Sequence, residues 1–182
     1  MTDTLLVRHC APTLAGLKTG ALFSCLFSDH NTALSTLSHW NQRLSPKGLH
    51  LIPLAQRRGR TLVYIYRATS LTRDLRRKSI CSILLPLGYP CPNPERCIVH
   101  LMKKLRSRQD FPHELGLFLG YPPEDVLGYI NDSTNCRFSG CWKVYGDVTA
   151  AQATFQIFRT CTQLACRQLA LGATLESVTT AG

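Results

Sequence analysis

Apolar residues recur along this chain at two periods, and each period marks a kind of element. From Asn31 to Leu44, Leu34, Leu37 and Leu44 fit one side of a helix that Ser45-Pro46-Lys47-Gly48 stops. Leu49 to Leu54 and Thr61 to Tyr66 are β-prone runs. Gln56-Arg57-Arg58-Gly59-Arg60 separates them as a turn-sized basic loop, which predicts an antiparallel hairpin. Pro53 makes the first run an edge strand or a bulge, because proline has no N–H to give a central ladder. Thr69 or Ser70 caps a helix running towards Leu85. In the next helix Asn93 is the cap, Pro94 takes the first position, and Ile98, Leu101, Met102 and Leu105 follow helical spacing.

Later segments are shorter. Leu115, Leu117 and Leu119 alternate as a short apolar strand, and Gly120-Tyr121-Pro122-Pro123-Glu124-Asp125 then turns the chain into a helix with acids at its positive end. Cys141 to Tyr145 reads as a β run. The last helix, Thr149 to Leu171, is apolar on two sides and is expected to be largely buried. At the other end, His9-Cys10-Ala11-Pro12-Thr13-Leu14-Ala15-Gly16 has turn residues in place of a clear period, and reads as a strand or short helix entering a loop. Leu-Gly-Tyr-Pro occurs at residues 87–90 and 119–122, a reuse of turn chemistry more than a repeat. These patterns predict a single α+β domain over 1–182, a small, mainly antiparallel sheet packed by amphipathic helices.

Composition adds an address. The 182 residues are 45% hydrophobic, enough for a core without staples, and disorder, low-complexity and membrane-spanning classes are excluded. The N-terminus lacks the apolar run and cleavage site of a secretory signal. Nine cysteines, an odd number with no C-x2-C, fit a reducing cytoplasm better than a disulfide scaffold or zinc ribbon. Their spacings include Cys91-x5-Cys97, Cys136-x4-Cys141 and Cys161-x4-Cys166, and most read as small buried hydrophobes.

Charge is uneven. The net charge is +10, and between Arg57 and Arg108 the chain carries 13 basic residues against Asp74 and Glu95. Arg57, Arg58, Arg60, Arg73, Arg76, Arg77, Arg96, Lys103 and Lys104 are the candidates for a basic face that meets nucleic acid or an acidic protein. Without an RRM, KH, zinc-finger or clear helix-turn-helix signature, a solvated basic surface explains them equally well.

Candidate chemistry falls in two segments. His9-Cys10 puts an imidazole beside a thiol, which can make a nucleophile or a soft metal ligand, and Lys18 follows. Phe111-Pro112-His113-Glu114 adds a second imidazole and a carboxylate that could orient it. Neighbouring side chains diverge, so a working set would combine Cys10 with His113, or His9 with His113 and Glu114, across the fold. In the plainer alternative His113 bonds a backbone carbonyl, Glu114 is solvated and Cys10 is core. No G-x-G-x-x-G, Walker lysine, H-E-x-x-H or G-x-S-x-G is present.

His9-Cys-Ala-Pro-Thr-Leu-Ala-Gly16 with Lys18, Phe111 to Ile130, and Gly140-Cys-Trp-Lys-Val-Tyr145 occur in that order. With these motifs the chain resembles a bacterial family, domain of unknown function family 3793, common in anaerobes. The resemblance covers nearly the whole length and implies that His9, Cys10, Lys18, His113, Glu114, Gly120, Tyr121, Asp125, Trp142, Lys143 and Tyr145 belong to shared motifs. The expectation is a pocket formed by the His9-Cys10 loop and the Phe111–Pro122 loop for a metal ion, another cofactor or a small anionic ligand, with a redox link as one version of it. His9, Cys10, His113 and Glu114 are the candidate metal ligands, and His9, Lys18, Tyr121 and Lys143 the candidate ligand contacts. A thiol-dependent transferase or hydrolase with Cys10 as nucleophile, and His113 and Glu114 assisting, is the enzymatic alternative. The basic binding module is the other.

Overall fold

The two β-prone runs pair as their composition requires. β2 (Leu49–Arg57) and β3 (Arg60–Arg67) are antiparallel, with Leu51 opposite Ile65 and Arg57 opposite Arg60. β1 (Gly20–Leu26) pairs on the other side of β3, so the sheet order is β1-β3-β2 and Pro53 lies on an edge strand. The register slips between Pro53 and Ala55, so proline's missing N–H falls at an irregularity. The computed structural model describes residues 2–27, 29–57, 59–107 and 111–181. The architecture is α+β, with a small antiparallel sheet and eight α-helices among the described residues.

The chain divides into two compact units, residues 1–70 with 161–182, and residues 71–160. In the first, α1 (Asp3–Leu14) and α2 (His30–Leu44) supply the helical layer of the sheet's core. Leu6, Cys10 and Leu14 form a stripe at i, i+4 and i+8 on α1. Together with Leu37, Trp40 and Leu44 of α2 they join Phe23, Cys25, Leu51, Val63 and Ile65 of the sheet in one cluster. Asp29 caps α2, its carboxylate accepting from the Thr32 N–H at 2.8 Å.

Buried and half-buried cations fasten this unit. Arg67, counted in the sequence with the basic segment, is only 3% exposed. Its guanidinium donates to the carbonyls of Thr13 and Thr180 at 2.8 Å, and to that of Leu14, closing the C-terminal end of α1. Burial lowers its pKa. Arg43 grips both oxygens of Asp3, at 2.9 and 2.8 Å, and also bonds Glu176. Those bonds, the one to Arg43 first, hold the Glu176 carboxyl down to about 2, and Arg43 also holds Asp3 below its ordinary value. A depressed carboxylate stabilises the fold above its unfolded pKa, about 4.3 for Glu, and that stability is lost as pH falls through the folded value. The stability of this unit, followed by Trp40 fluorescence, is therefore expected to fall between about pH 4.5 and pH 2, and Arg43→Met to flatten that fall; equal slopes in the two proteins would refute the assignment.

The second unit holds most of α3 (Ala68–Leu75), then α4 (Lys78–Leu84), α5 (Pro94–Arg106), α6 (Leu115–Phe118), α7 (Pro123–Asn131), and the start of α8 (Val148–Ala170). A two-strand ribbon of β4 (Phe138–Ser139) and β5 (Lys143–Val144) lies between α7 and α8 in the chain. α5 begins as the sequence requires, Asn93 Oδ1 accepting from the Arg96 N–H at 2.9 Å with Pro94 at the first position.

Four expectations change. Leu115–Phe118 is a single buried helical turn and not a strand: with every side buried, its apolar residues carry no period. Of the two readings of the His9-Cys10 segment, strand or short helix, it is the helix, so the pocket's expected His9-Cys10 loop is a stretch of α1. The segment from Ser70 towards Leu85 is two helices, divided at Arg76-Arg77. α8 is not largely buried, because Ile157 and Leu164 face solvent.

Candidate functional site

His113 and Glu114 lie in a turn whose N–H groups already bond in helical fashion, Leu117 N–H to Glu114 O at 3.0 Å. Successive side chains there are about 100° apart, so the two residues part company. His113 is exposed and Glu114 buried. Glu114 Oε1 accepts the Tyr89 hydroxyl at 2.8 Å and the Lys104 ammonium. Lys104 Nζ also sits 5.4 Å from the centre of the Tyr89 ring, which packs on His100 at 4.4 Å and Phe118 at 5.7 Å. Burial pushes the Glu114 carboxyl up, but the bonds from Lys104 and Tyr89 outweigh it and hold the carboxyl below its ordinary value. Burial, then the Glu114 charge, pushes the Tyr89 phenol up. Glu114 is thus an ionised tie between α5, the turn at Tyr89 and α6.

A second buried carboxylate organises the Gly140–Gly146 segment. Asp125, in the first turn of α7, accepts the Trp142 indole N–H at 2.6 Å on Oδ2. Its Oδ1 accepts the backbone N–H groups of Tyr145 and Gly146 at 2.7 and 2.8 Å. Trp142 stacks on Tyr121, centroids 4.8 Å apart, and meets Phe155 of α8 edge-on at 4.4 Å. The glycines of these motifs permit the close approach: a Cβ on Gly128 would stand 2.3 Å from Tyr145 Cγ, and one on Gly140 2.2 Å from Phe155 Cε2. Tyr121, a candidate ligand contact, is half-buried and packs flat against Trp142. Its hydroxyl lies 3.4 Å from the Cys141 carbonyl, and burial pushes its phenol up to about 12.

What these ties leave outside is a small face of three elements. His113 meets the Tyr129 ring edge-on at 4.8 Å, and the Phe111 ring lies 5.7 Å from it. Lys143 Nζ, from β5, lies 5.4 Å from the centre of the same Tyr129 ring and donates to the Ser133 carbonyl at 2.6 Å. Tyr145 holds the neighbouring loop, its hydroxyl donating to the Asp132 carbonyl at 2.7 Å. The structure thus brings together two sequence candidates, His113 and Lys143, through Tyr129, which the sequence had not singled out.

In the first unit, His9 and Cys10 are divided by the helix. His9 is exposed, its ring parallel to Phe23 with centroids 6.1 Å apart, while Cys10 points into the core with 0% exposure. Burial pushes the Cys10 thiol well above its ordinary range, against the opposing charge of Lys18. A thiol so placed is packed as a core residue and rests protonated. Lys18 is half-buried beyond the end of α1. Among the described residues, no three His, Cys, Asp or Glu side chains are grouped to hold a metal ion.

The basic segment is distributed over both units. Arg60 donates to Ser24 Oγ at 2.9 Å in the first, and Arg58 and the side chain of Arg57 lie outside the described residues. In the second, Arg73, Arg76, Arg77, Arg96 and Lys103 are exposed, with Arg73 3.7 Å from Asp74. Lys104 leaves the basic list, since it is spent on Glu114.

A family model described as Protein of unknown function (DUF3793) matches residues 6–179. The chain belongs to that family. No curated protein and no solved structure matches it. In this DUF3793 protein no helix among the described residues is long and apolar enough to cross a membrane.

Proposed function

We propose that this DUF3793 protein binds a small anionic ligand, a carboxylate or phosphate compound with an apolar part, on the face made by Phe111, His113, Tyr129 and Lys143. The observation that carries the reading is the convergence of an exposed imidazole and an ammonium on one tyrosine ring, from the 111–114 turn, β5 and α7. Lys143 keeps donors beyond the one given to Ser133, and a ring N–H of His113 adds another. Tyr129 and Phe111 offer the apolar floor. This is the Phe111–Pro122 half of the expected pocket; His9 and Lys18 belong to the other unit and form no part of the proposal. Glu114 and Tyr121 serve it as supports and not as ligand contacts. The same reading puts the protein in a reducing bacterial cytoplasm, a setting that nine free cysteines suit.

The test is an NMR titration of the histidine ring signals with pyrophosphate and with citrate, His113 being assigned through His113→Gln. A saturable shift of the His113 signal that Lys143→Ala abolishes is expected. A flat titration with both anions, or a shift that survives Lys143→Ala, would refute the proposal.

A second reading rests on the exposed Arg73, Arg76, Arg77, Arg96 and Lys103 of the second unit: a basic surface for nucleic acid. Its mark is retention of a DNA or RNA duplex that falls steeply as salt rises, and no retention at any salt concentration would refute it.

A further inference from the structure

Two thiols of the second unit touch each other outside the anion face. Cys91 Sγ and Cys97 Sγ are 3.7 Å apart, both free. Cys97 lies in the first turns of α5 with 0% exposure, its N–H bonded to the Asn93 carbonyl at 2.9 Å. Cys91 precedes α5 on the turn that follows Tyr89, and is half-buried. Cys81 of α4 is the third sulfur of this neighbourhood, and its thiol donates to the Leu75 carbonyl at 3.0 Å. Burial raises the pKa of both Cys91 and Cys97, so in a reducing medium the pair rests as thiols.

We propose that Cys91 and Cys97 form a reversible dithiol–disulfide site, oxidised by small-molecule disulfides. Exposure assigns the order of events. Cys91, the one a reagent can reach, loses its proton and attacks one sulfur of the small disulfide. That S–S bond breaks, and the first small thiolate departs and takes up a proton. Cys97 then loses its proton and attacks Cys91 Sγ in the mixed disulfide, expelling the second small thiol. Two protein thiols are oxidised to one disulfide, the reagent is reduced to two thiols, and both protons end on them. A sulfur separation of 3.7 Å must close to about 2.05 Å, a shift within reach of side-chain rotation on the turn that carries Cys91. Cys81, engaged with the Leu75 carbonyl, takes no part. The product ties the turn after Tyr89, whose hydroxyl bonds Glu114, to α5.

The experiment treats the reduced full-length protein with glutathione disulfide, blocks remaining thiols with N-ethylmaleimide, and maps tryptic peptides. Cleavage after Arg96 separates Cys97 from the peptide that holds Cys81 and Cys91, so the proposed bond joins two peptides while a Cys81–Cys91 bond stays within one. The expected result is a Cys91–Cys97 cross-link that dithiothreitol removes. Cys97→Ser and Cys97→Ala are expected to stop at the mixed disulfide, leaving glutathione on Cys91. Exposed Cys141 gains glutathione in every sample and reports that the reagent is active. A Cys81–Cys91 bond, or Cys91 and Cys97 both alkylated while Cys141 carries glutathione, overturns the proposal.

Discussion

Asp125→Ala is expected to cost about 4 kcal/mol of folding free energy, since hydrogen bonds to a charged group contribute about 1.5–3 kcal/mol each and their losses do not add in full. The side chain is 3% exposed and accepts three bonds, one from the Trp142 indole and two from backbone N–H groups. Removing it leaves those donors facing a hole that an alanine methyl cannot fill. Asp125→Asn keeps one accepting oxygen but brings an NH2 towards other donors, so it should recover only part of the loss. The chain has two tryptophans, one in each unit, and Trp40→Phe leaves Trp142 as the reporter of the second. Urea unfolding in that background, followed by Trp142 emission, measures the difference; a loss under about 1 kcal/mol would show that Asp125 does not hold the segment.

Lys104→Met carries the second large effect, about 2–3 kcal/mol. Breaking a buried ion pair typically costs about 3–5 kcal/mol, and the Lys104 side chain, 33% exposed, retains some water in the native state. The pH dependence should also weaken. In the wild type, Glu114 is depressed below its unfolded pKa, so its stabilisation is present above that value and is lost as the solution is acidified through the folded one. Without Lys104, the largest of the bonds that lower the carboxyl is gone, burial is opposed only by the Tyr89 hydroxyl and a backbone bond, and the folded pKa rises. Acidification through that window then costs less stability than in the wild type. Lys104→Met with Glu114→Gln should restore most of the loss, because no buried charge is left alone. Urea midpoints between pH 4 and pH 8 for the three proteins decide it; parallel pH profiles for wild type and Lys104→Met would contradict the tie.

Local signals were legible where one residue type has one mechanical consequence. Pro53 marked an edge and an irregularity because it lacks a donor, and Asn93-Pro94 marked a helix start because cap and first position have distinct requirements. Leu115 to Leu119 misled because alternation over five residues is shared by strands and by a helical turn buried on every side. α8 misled in the opposite way. Two apolar stripes predicted burial, yet Ile157 and Leu164 remain at the surface.

For the candidate site, the sequence motifs picked out residues that the second unit holds close together, but not the contacts each of them makes. Asp125 read as a favourable charge on a helix dipole, and its three partners, 17 to 21 positions away, could be known only from the fold. Lys104 counted as surface charge because nothing local distinguishes it from Lys103. His113 and Glu114 read as a pair because they are adjacent, and adjacency in a helical turn sets them about 100° apart, one exposed and one buried. The motif residues therefore divide. Glu114, Asp125, Tyr121 and Trp142 hold the second unit together, and His113, Tyr129 and Lys143 are presented by it.

The division is tested most directly by urea unfolding of His113→Ala/Lys143→Ala beside Asp125→Ala, read at Trp142 in the Trp40→Phe background. The double variant, which changes two residues of the presented face, is expected to keep its stability within about 1 kcal/mol of the parent. Asp125→Ala is expected to lose several times that. Equal losses in the two proteins would contradict the division, making His113 and Lys143 parts of the framework.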